Sequence, residues 1–182
     1  MHKMDNSKIL IILVHPNSNA SVVNKRWLEE LNKSPEKYII HDLYKAYPDE
    51  KIDIEAEQKR IEQYDKIVFQ FPMYWFCSPP LLKKWLDEVL VYGWAFGSKS
   101  GYKVAGKKIA LAISLGADDE DYQANGKYKY SLAELLRPFE LTFEYIKSDY
   151  HVFFSQFGAD MQVSVDWMEK SVSRYMSYLE KL

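Results

Sequence analysis

The 182-residue sequence lacks three features that would each point to a particular class of protein. Cys77 is its one cysteine, so neither a disulfide framework nor a cysteine-ligated zinc site is expected, and a reducing, intracellular setting is favoured. The net charge of −2 argues against nucleic acid as the main partner, because phosphate binding requires a basic surface. The apolar run Ile9 to Val14 is too short for a signal peptide, and no run reaches membrane-spanning length. These absences predict a cytoplasmic protein that is not embedded in a membrane.

Apolar runs typical of buried strands alternate with helical patterns, and the length fits one domain, residues 1–182. Strands are predicted at Lys8–Val14, Tyr38–Leu43, Lys66–Phe71 and Lys108–Ser114, and the last strand residues at Thr142–Ile146, with His151–Ser155 as a further candidate. Helices are predicted after Ser21, at Asp53–Gln63, from Ser78, at Ser131–Pro138, and from about Asp160 to the C-terminus. This order predicts an α/β, flavodoxin-like three-layer sandwich. Its five-stranded parallel sheet would have the order 2-1-3-4-5, with helices on both faces.

The segment from Tyr64 to Gly97 joins a buried strand, an aromatic loop and a helix. Pro72 is expected to stop the strand, and Ser78 to cap a helix with prolines at its first two positions. The loop Met73–Phe76 then lies at the carboxyl end of a parallel strand, where open α/β sheets bind ligands. Its aromatic side chains have two interpretations, a plug for the core beneath the helix or one wall of a site for a flat ring system. We favour the flat ring, because the proline and the helix hold the loop in place.

Two other loops are expected at the same edge of the sheet. The first, His15–Asn24, places hydroxyl and amide side chains before a helix N-terminus, which together suit an anion. The alternative is that Ser21 is only a helix cap and His15 only a hydrogen-bonded loop residue. The third loop, Ser114–Tyr128, begins with small residues that let the backbone approach a ligand. An anion site, an aromatic wall and backbone donors together indicate a cofactor of the flavin mononucleotide type.

Longer motifs carry a resemblance to a known family: H-P-N-S-N-A-S-V-V-N, F-P-M-Y-W-F-C-S-P-P-L-L-K-K-W-L-D-E-V, G-W-A-F-G and, at Tyr47–Gln58, Y-P-D-x-x-I-D-I-x-A-E-Q. From Lys8 to about Phe154 the chain resembles the flavodoxin-like NAD(P)H:quinone oxidoreductase family. It is most similar to bacterial members that include the ancillary proteins of glutathione-gated potassium efflux. The resemblance implies FMN or FAD as cofactor, NAD(P)H as co-substrate, and ping-pong transfer of a hydride to the flavin and then of two electrons to a quinone or similar acceptor. It also implies a homodimer whose sites the partner chain completes, with Trp94 and Phe96 as exposed interface aromatics.

The resemblance further assigns candidate site residues. The flavin-phosphate loop is matched by His15, Ser21, Val22, Val23 and Asn24, and the segment lining the isoalloxazine by Met73, Tyr74, Trp75 and Phe76. The family's Thr-Thr-Gly-Gly turn is occupied by Ser114, Leu115, Gly116 and Ala117. Tyr122 matches a tyrosine beside the flavin, and Tyr128 stands where the family has a proton-relay histidine. A phenol with a pKa near ~10 does not readily carry a positive charge. We therefore expect backbone N–H groups to stabilise negative charge on the flavin, with Tyr122 and Tyr128 as assisting catalytic residues.

Three alternatives to a reductase follow from the same sequence. One is a flavin-binding regulatory subunit that docks on a cation efflux transporter. A second is a flavodoxin-type electron carrier, which the modest net charge and the large aromatic residues disfavour. The third is a serine hydrolase, since Ser114 follows a predicted strand and Asp149 and His151 come later in the required order. The hydrolase is disfavoured because Asp149 and His151 are only two residues apart. The scattered histidines predict no metal site.

Overall fold

The computed structural model describes residues 8–98, 101–160 and 163–182. Its strands are β1 (Ile9–Leu13), β2 (Tyr38–Asp42), β3 (Lys66–Pro72), β4 (Lys108–Ser114), β5 (Asp149–Tyr150) and β6 (Phe154–Gln156). Its α-helices are α1 (Val22–Leu31), α2 (Leu43–Ala46), α3 (Ile54–Glu62), α4 (Pro80–Val89), α5 (Leu132–Leu135), α6 (Arg137–Tyr145) and α7 (Val165–Glu180), and 3₁₀ turns lie at Ser18–Ala20 and Asp119–Tyr122. Within these described ranges, no helix combines the length and the hydrophobicity that a bilayer crossing requires. The sequence from Trp94 to Lys107 predicts a loop; its residues 99–100, like residues 161–162 of the predicted last helix, lie outside the described residues.

The sheet is parallel and has the strand order β2-β1-β3-β4-β5, with β6 also paired to β4. This order confirms the predicted flavodoxin-like topology. The fifth position is divided between two short strands. Asp149 pairs with Lys108 at the start of β4, whereas Gln156 pairs with Ser114 at its end. The candidate strand His151–Ser155 therefore covers the break between β5 and β6 and only the first residues of β6.

Helices cover both faces of the sheet, as a parallel sheet requires. On one face, Phe69 of β3 packs against Trp85 of α4 and Phe143 of α6. On the other face, Trp27 of α1 packs against Tyr175 of α7. The central strands are consequently buried on both sides, which explains why their sequences are almost continuously apolar.

A buried carboxylate fixes α3 beside α4. Glu57 is fully buried and accepts hydrogen bonds from Trp85 Nε1 and Tyr47 Oη, each at 2.8 Å, while His41 Nε2 lies 2.8 Å from its Oε1. Buried charges persist only where such partners replace water. The motif at Tyr47–Gln58 therefore supplies two members of a structural cluster, Tyr47 and Glu57.

The predicted strand Thr142–Ile146 is wrong, because its residues complete α6. Pro138 lies in the first turn of α6, where its missing N–H costs nothing, so it follows α5 closely and also begins a second helix. Phe139 and Phe143 are one helical turn apart and both are buried. The predicted helix Ser131–Pro138 is accordingly reduced to the short helix α5.

Two predicted details around α4 are also wrong. The helix begins at Pro80 after Pro79, and the hydroxyl of Ser78 makes no cap but is buried without a hydrogen-bond partner among the described residues. The two prolines move the helix start beyond the reach of that hydroxyl. Trp94 is only 9% exposed, and its Nε1 donates to Glu62 Oε1 at 2.8 Å. Trp94 therefore packs within its own chain and is not an exposed interface aromatic.

Candidate functional site

The loops that follow β1, β3 and β4 meet at one edge of the sheet. These strands are neighbours, and backbone hydrogen bonds continue the contact beyond their ends. Val14 N donates to Gln70 O and Met73 N donates to Ser114 O, each at 2.8 Å. β3 includes Pro72, one residue beyond the prediction, because Pro72 lies opposite Ser114 in the ladder. The three predicted loops therefore form one surface at the carboxyl ends of the strands, as expected from the topology.

The first loop, His15–Ser21, leads directly into α1. Ser21 is the N-cap of this helix, and its Oγ accepts a hydrogen bond from Asn24 N at 3.1 Å. Val22 is exposed and Val23 is buried. The first amides of a helix have no intrahelical acceptor, and the helix dipole favours negative charge beside them. The start of α1 can therefore hold an anion through backbone N–H groups.

His15 is an uncharged part of the first loop. Its ring is almost buried, and Nδ1 accepts a hydrogen bond from Asn17 N at 3.0 Å. Burial lowers the pKa of His15, and the nearby Asp42 carboxylate opposes this shift only partly. A neutral ring that accepts at Nδ1 carries its proton on Nε2. The ring lies edge-on to Tyr74, with centroids 6.5 Å apart, so it joins the first loop to the second.

The second loop is a tight aromatic turn, Tyr74–Cys77. Backbone hydrogen bonds of 2.9 and 3.0 Å join Tyr74 and Cys77 in both directions. The two residues between them, Trp75 and Phe76, have positive φ angles of 47° and 62°, which is unusual for bulky side chains. Trp75 is 93% exposed, and Tyr74 and Phe76 are also exposed. The aromatic side chains therefore do not plug the core, and they are available to a flat ligand.

The third loop, Leu115–Tyr128, starts against the segment after β6. Leu115 N donates to Gln156 O at 2.9 Å, and Ala159 N donates to Leu115 O at 2.8 Å. A Cβ on Gly116 would lie 1.9 Å from Asp160 Oδ2, so a larger residue would displace the Asp160 side chain. The small residues thus have a local packing reason, which the sequence alone did not reveal.

The two predicted catalytic tyrosines lie beside the aromatic turn. The rings of Tyr122 and Tyr128 are 4.9 Å apart, and the Tyr128 ring is 4.9 Å from that of Phe76. Phe157 packs on the other side of Tyr122, with ring centroids 5.5 Å apart. Burial raises the pKa of Tyr122, and the neighbouring Tyr128 and Asp121 raise it further. Tyr122 therefore keeps its proton near neutral pH and can act as a hydrogen-bond donor.

Ser114 does not belong to a hydrolase triad. Its Oγ accepts a hydrogen bond from Asn24 Nδ2 at 2.9 Å. His151 and Asp149 pair with each other at 3.0 Å, and Asp149 lies opposite Lys108, at the other end of β4 from Ser114. Ser114 is six residue steps along β4 from Lys108, about 20 Å at ~3.3 Å per step. Among the described residues, no group of three His, Cys, Asp or Glu side chains is placed to hold a metal ion.

A family model with a flavodoxin-like fold matches residues 7–179 of the chain. The chain belongs to this flavodoxin-like family. A structure of general stress protein 14 from Treponema denticola in complex with FMN is 48% identical, with a TM-score of 0.91, and the match covers 96% of this chain and 98% of that one. A structure of an NADPH-quinone reductase from P. pentosaceus is 27% identical, with a TM-score of 0.84 over 94% of this chain and 97% of that one.

Two curated relatives of this flavodoxin-like chain carry different functional names. The uncharacterized NAD(P)H oxidoreductase YrkL of Bacillus subtilis is 46% identical over 95% of this chain and 98% of its own length. The glutathione-regulated potassium-efflux system ancillary protein KefG of Cronobacter sakazakii is 43% identical over 75% of this chain and 73% of its own length. The family and its relatives confirm the resemblance that the sequence motifs indicated.

Within the flavodoxin-like fold, the predicted site residues lie at one edge of the sheet but differ in what they can offer a ligand. The residues that are exposed or partly exposed at this edge are Ser21, Val22, Met73, Tyr74, Trp75, Phe76, Gly116, Ala117 and Tyr128, while His15, Val23, Asn24, Ser114, Leu115 and Tyr122 are buried. The amide of Asn24 bonds to protein groups at both its nitrogen and its oxygen. Asn24 therefore holds the first loop in position through buried hydrogen bonds to Ser21, Ser114 and Gln70.

Sequence reasoning missed Gln156, the last residue of β6, and the segment that follows it. Gln156 is buried beside Ser114, and its Oε1 lacks a hydrogen-bond partner among the described residues. Asp160 covers Gly116. The sequence signal was weak, because this segment acquires its place only through pairing of β6 with β4 and of the following residues with the third loop.

Proposed function

We propose that this flavodoxin-like protein binds FMN at the carboxyl edge of its sheet and acts as an NAD(P)H:quinone oxidoreductase. The observation that carries the proposal is the meeting of a helix N-terminus, an aromatic turn and a small-residue loop at this edge. The proposal is supported by the FMN complex of a relative that aligns with 96% of the chain, and by the reductase names of other relatives. FMN is preferred to FAD because the 48% identical structure contains FMN.

The residues present fit the three parts of FMN. The capped start of α1, with Ser21 and the amides of Val22 and Val23, suits the phosphate. The aromatic turn suits a flat ring, since Tyr74, Trp75 and Phe76 are exposed at the surface of the site. The third loop would offer its backbone to the ring, since Ala117 is small and partly exposed. Gln156 lies opposite Ser114 at this same edge, and no donor from the described part of the chain reaches its buried amide oxygen.

FMN, when bound, accepts a hydride from NAD(P)H and passes two electrons to an acceptor. The chain holds the ring against the aromatic turn, excludes water from one side of it, and offers backbone N–H groups where negative charge develops. Tyr122 and Tyr128 donate hydrogen bonds beside that ring in our proposal. The oxidised product, NAD(P)+, leaves before the quinone enters, so we expect parallel lines in double-reciprocal plots at several quinone concentrations.

An absorption spectrum tests the main proposal. Protein reconstituted with FMN is expected to show a flavin spectrum that bleaches on addition of NADPH and returns on addition of a quinone. A flavin that stays oxidised with both NADPH and NADH would reject the reductase activity while leaving FMN binding intact. A chain that takes up neither FMN nor FAD would reject the proposal as a whole.

The role of the two tyrosines needs its own variant. In Tyr122→Phe combined with Tyr128→Phe, the rates of reduction by NAD(P)H and of reoxidation by quinone are expected to fall about tenfold, as for the loss of ~1.4 kcal/mol of hydrogen bonding. Tyr130→Phe is the matched control, because Tyr130 is exposed on the same loop. Stopped-flow absorbance measures both half-reactions, and unchanged rates in the double variant would show that the phenols do not assist.

We also propose that the protein is a homodimer. A groove of about 520 Å³ lies between α4 and α6 and is lined mainly by apolar residues. Cys77 and Ser78 lie at its end, so the groove continues from the aromatic turn. A second copy seated there would cover the apolar groove and complete the site from outside. The single domain for residues 1–182 and the cytoplasmic location stay predictions.

A second candidate function is a flavin-binding ancillary subunit of a cation efflux transporter. It is supported by the 43% identity to a protein named as such an ancillary component. The two functions are compatible, because an enzyme can also dock on a partner. Co-purification of the tagged chain with a cation efflux transporter from detergent-solubilised membranes tests this candidate. Retention of the transporter only with FMN-loaded protein would favour it, and a chain that never retains a transporter would reject it.

A further inference from the structure

A chain of buried hydrogen bonds crosses the protein from α7 to the first loop. Tyr175 Oη donates to Gln70 Oε1 at 3.0 Å, and Gln70 Nε2 donates to Asn24 Oδ1 at 3.1 Å. Asn24 Nδ2 then donates to Ser114 Oγ at 2.9 Å and to Ser21 Oγ at 3.3 Å. This series of hydrogen bonds therefore joins α7, β3, α1 and β4 beneath the proposed phosphate position.

Every link of this chain donates in the same direction. Tyr175, Gln70 and Asn24 have no solvent exposure, so no water competes for their polar atoms. Burial raises the pKa of Tyr175 well above its usual range, so the phenol keeps the proton that begins the chain. An amide that accepts at its oxygen must present its nitrogen on the other side. The donor at Tyr175 therefore fixes the orientation of the Gln70 amide, and Gln70 fixes that of Asn24. As a result, Asn24 donates to both Ser21 and Ser114.

Ser21 is left with only its own proton to offer a ligand. A serine hydroxyl has two acceptor positions and one O–H. Ser21 Oγ accepts from both Asn24 N and Asn24 Nδ2, so both acceptor positions are used. Ser21 also lines an open cavity of about 450 Å³ between the first turns of α1 and α7. Its hydroxyl proton is therefore available to an anion at the helix N-terminus.

We propose that Tyr175 and Gln70 are positioning residues for the FMN phosphate, because they orient Asn24 so that Ser21 is a hydrogen-bond donor to it. This inference rests on the proposed function. Without the Tyr175 hydroxyl, the amides of Gln70 and Asn24 can rotate by half a turn. Asn24 Oδ1 then faces Ser21 and takes the proton that would go to the phosphate. The role concerns the phosphate and not the isoalloxazine ring, which we place against the aromatic turn, Tyr74–Cys77.

Comparison of FMN with riboflavin isolates this role, since riboflavin lacks the phosphate. In Tyr175→Phe, the Kd of FMN measured by quenching of flavin fluorescence is expected to rise about tenfold, while the Kd of riboflavin changes less than twofold. Ser171→Ala is the matched control. It removes the acceptor of Trp27 Nε1, another buried hydrogen bond between α1 and α7, without touching the chain. Its ratio of riboflavin to FMN affinity is expected to equal that of the wild type.

Two further variants keep the inference testable if Tyr175→Phe fails to fold. Gln70→Met keeps the length of the side chain and removes the link, so the same selective loss of FMN affinity is expected. Tyr175→Phe added to Ser21→Ala is expected to cause no further loss, because the affected donor is already absent. Equal losses for FMN and riboflavin, or no loss, would overturn the role of Tyr175 and Gln70. A wild-type protein that binds neither compound would overturn the proposed function, and this role with it.

Discussion

The imidazole of His15 makes the first loop sensitive to pH. Its Nδ1 accepts a hydrogen bond from Asn17 N, and protonation would convert this acceptor into a donor. Burial lowers the folded-state pKa below the ordinary value of 6.5. Since the unfolded chain then binds the proton more readily, His15 favours folding fully above pH 6.5. That contribution is lost as the pH falls through the lowered pKa.

The variant His15→Gln removes this titration. We expect the free energy of unfolding of the wild type, relative to His15→Gln, to decrease as the pH falls from about 8 to about 5. Urea unfolding followed by tryptophan fluorescence at several pH values measures the difference. His151→Gln is the control, because it removes a histidine from the far end of β4. A wild-type advantage that stays constant with pH, or grows as the pH falls, would contradict this role for His15.

The aromatic turn illustrates how a structural element can hold strain at a site. Trp75 and Phe76 both have positive φ angles, which Asn-Gly adopts at much lower cost. Such conformations cost about 1–3 kcal/mol each for ordinary residues. Because Trp75 is 93% exposed, its ring gains little from packing in the same chain. The strained turn therefore places aromatic side chains at the proposed flavin site instead of in the core.

Replacing Trp75 with Asn and Phe76 with Gly should separate stability from ligand binding. We expect the double variant to be more stable than the wild type by about 1–2 kcal/mol, because the relief of strain at two residues exceeds the loss of the Phe76–Tyr128 contact. Its affinity for both FMN and riboflavin should fall at least tenfold. Glu50→Gly is the control, since Glu50 also has a positive φ, of 58°, but belongs to the connection before α3. Unchanged flavin affinity in the double variant would reject the aromatic turn as the ring site.

Elements differ in how well the sequence predicts them. The strands from β1 to β4 were predicted to within a residue or two, because their apolar runs have polar or turn residues at both ends. The sequence of Thr142–Ile146 predicts a strand, because five residues are too few to distinguish the period of a helix, about 3.6 residues, from that of a strand, about two. Its helix is set by Pro138 in the first turn and by packing of Phe143 on Phe69. The fifth strand is defined only by pairing with β4, which the local sequence does not encode.

The same distinction applies to the site. Its loops could be predicted because the parallel topology places strand ends together, and because the motifs are long. The buried hydrogen bonds from Tyr175 through Gln70 to Asn24 could not be predicted, since Gln70 and Tyr175 are separated by 105 positions in sequence. Gln70 did give a signal, as a polar residue between Phe69 and Phe71 in a buried strand. Tyr175 gave none, because a tyrosine on the apolar side of a helix is ordinary.

At the scale of the whole molecule, exposed apolar residues continue from the site onto α6. Leu141 and Tyr145 are 59% and 67% exposed, and both line the groove between α4 and α6. Phe96 reaches the same groove and contacts the Tyr145 ring at 5.5 Å. Phe96 therefore remains a predicted interface residue, whereas Trp94 does not, because it is buried in its own chain. A stable interface buries about 800 Å² on each partner, so it would extend beyond this groove.

The variant Leu141→Arg tests whether a second copy covers this groove. An unpaired charge buried at an interface costs about 3 kcal/mol or more, which corresponds to at least a 100-fold weaker dimer. We expect sedimentation velocity to give a particle of twice the 21.5 kDa chain mass for the wild type, and a monomer for the variant at the same micromolar concentration. Val152→Arg is the control, because Val152 is 80% exposed in the connection between β5 and β6 and should leave the dimer intact. If the partner completes the site, Leu141→Arg should also lose quinone reduction while its far-UV circular dichroism spectrum stays like that of the control, which shows that the chain is still folded. A wild-type monomer, or a Leu141→Arg dimer, would place the second copy elsewhere or remove it.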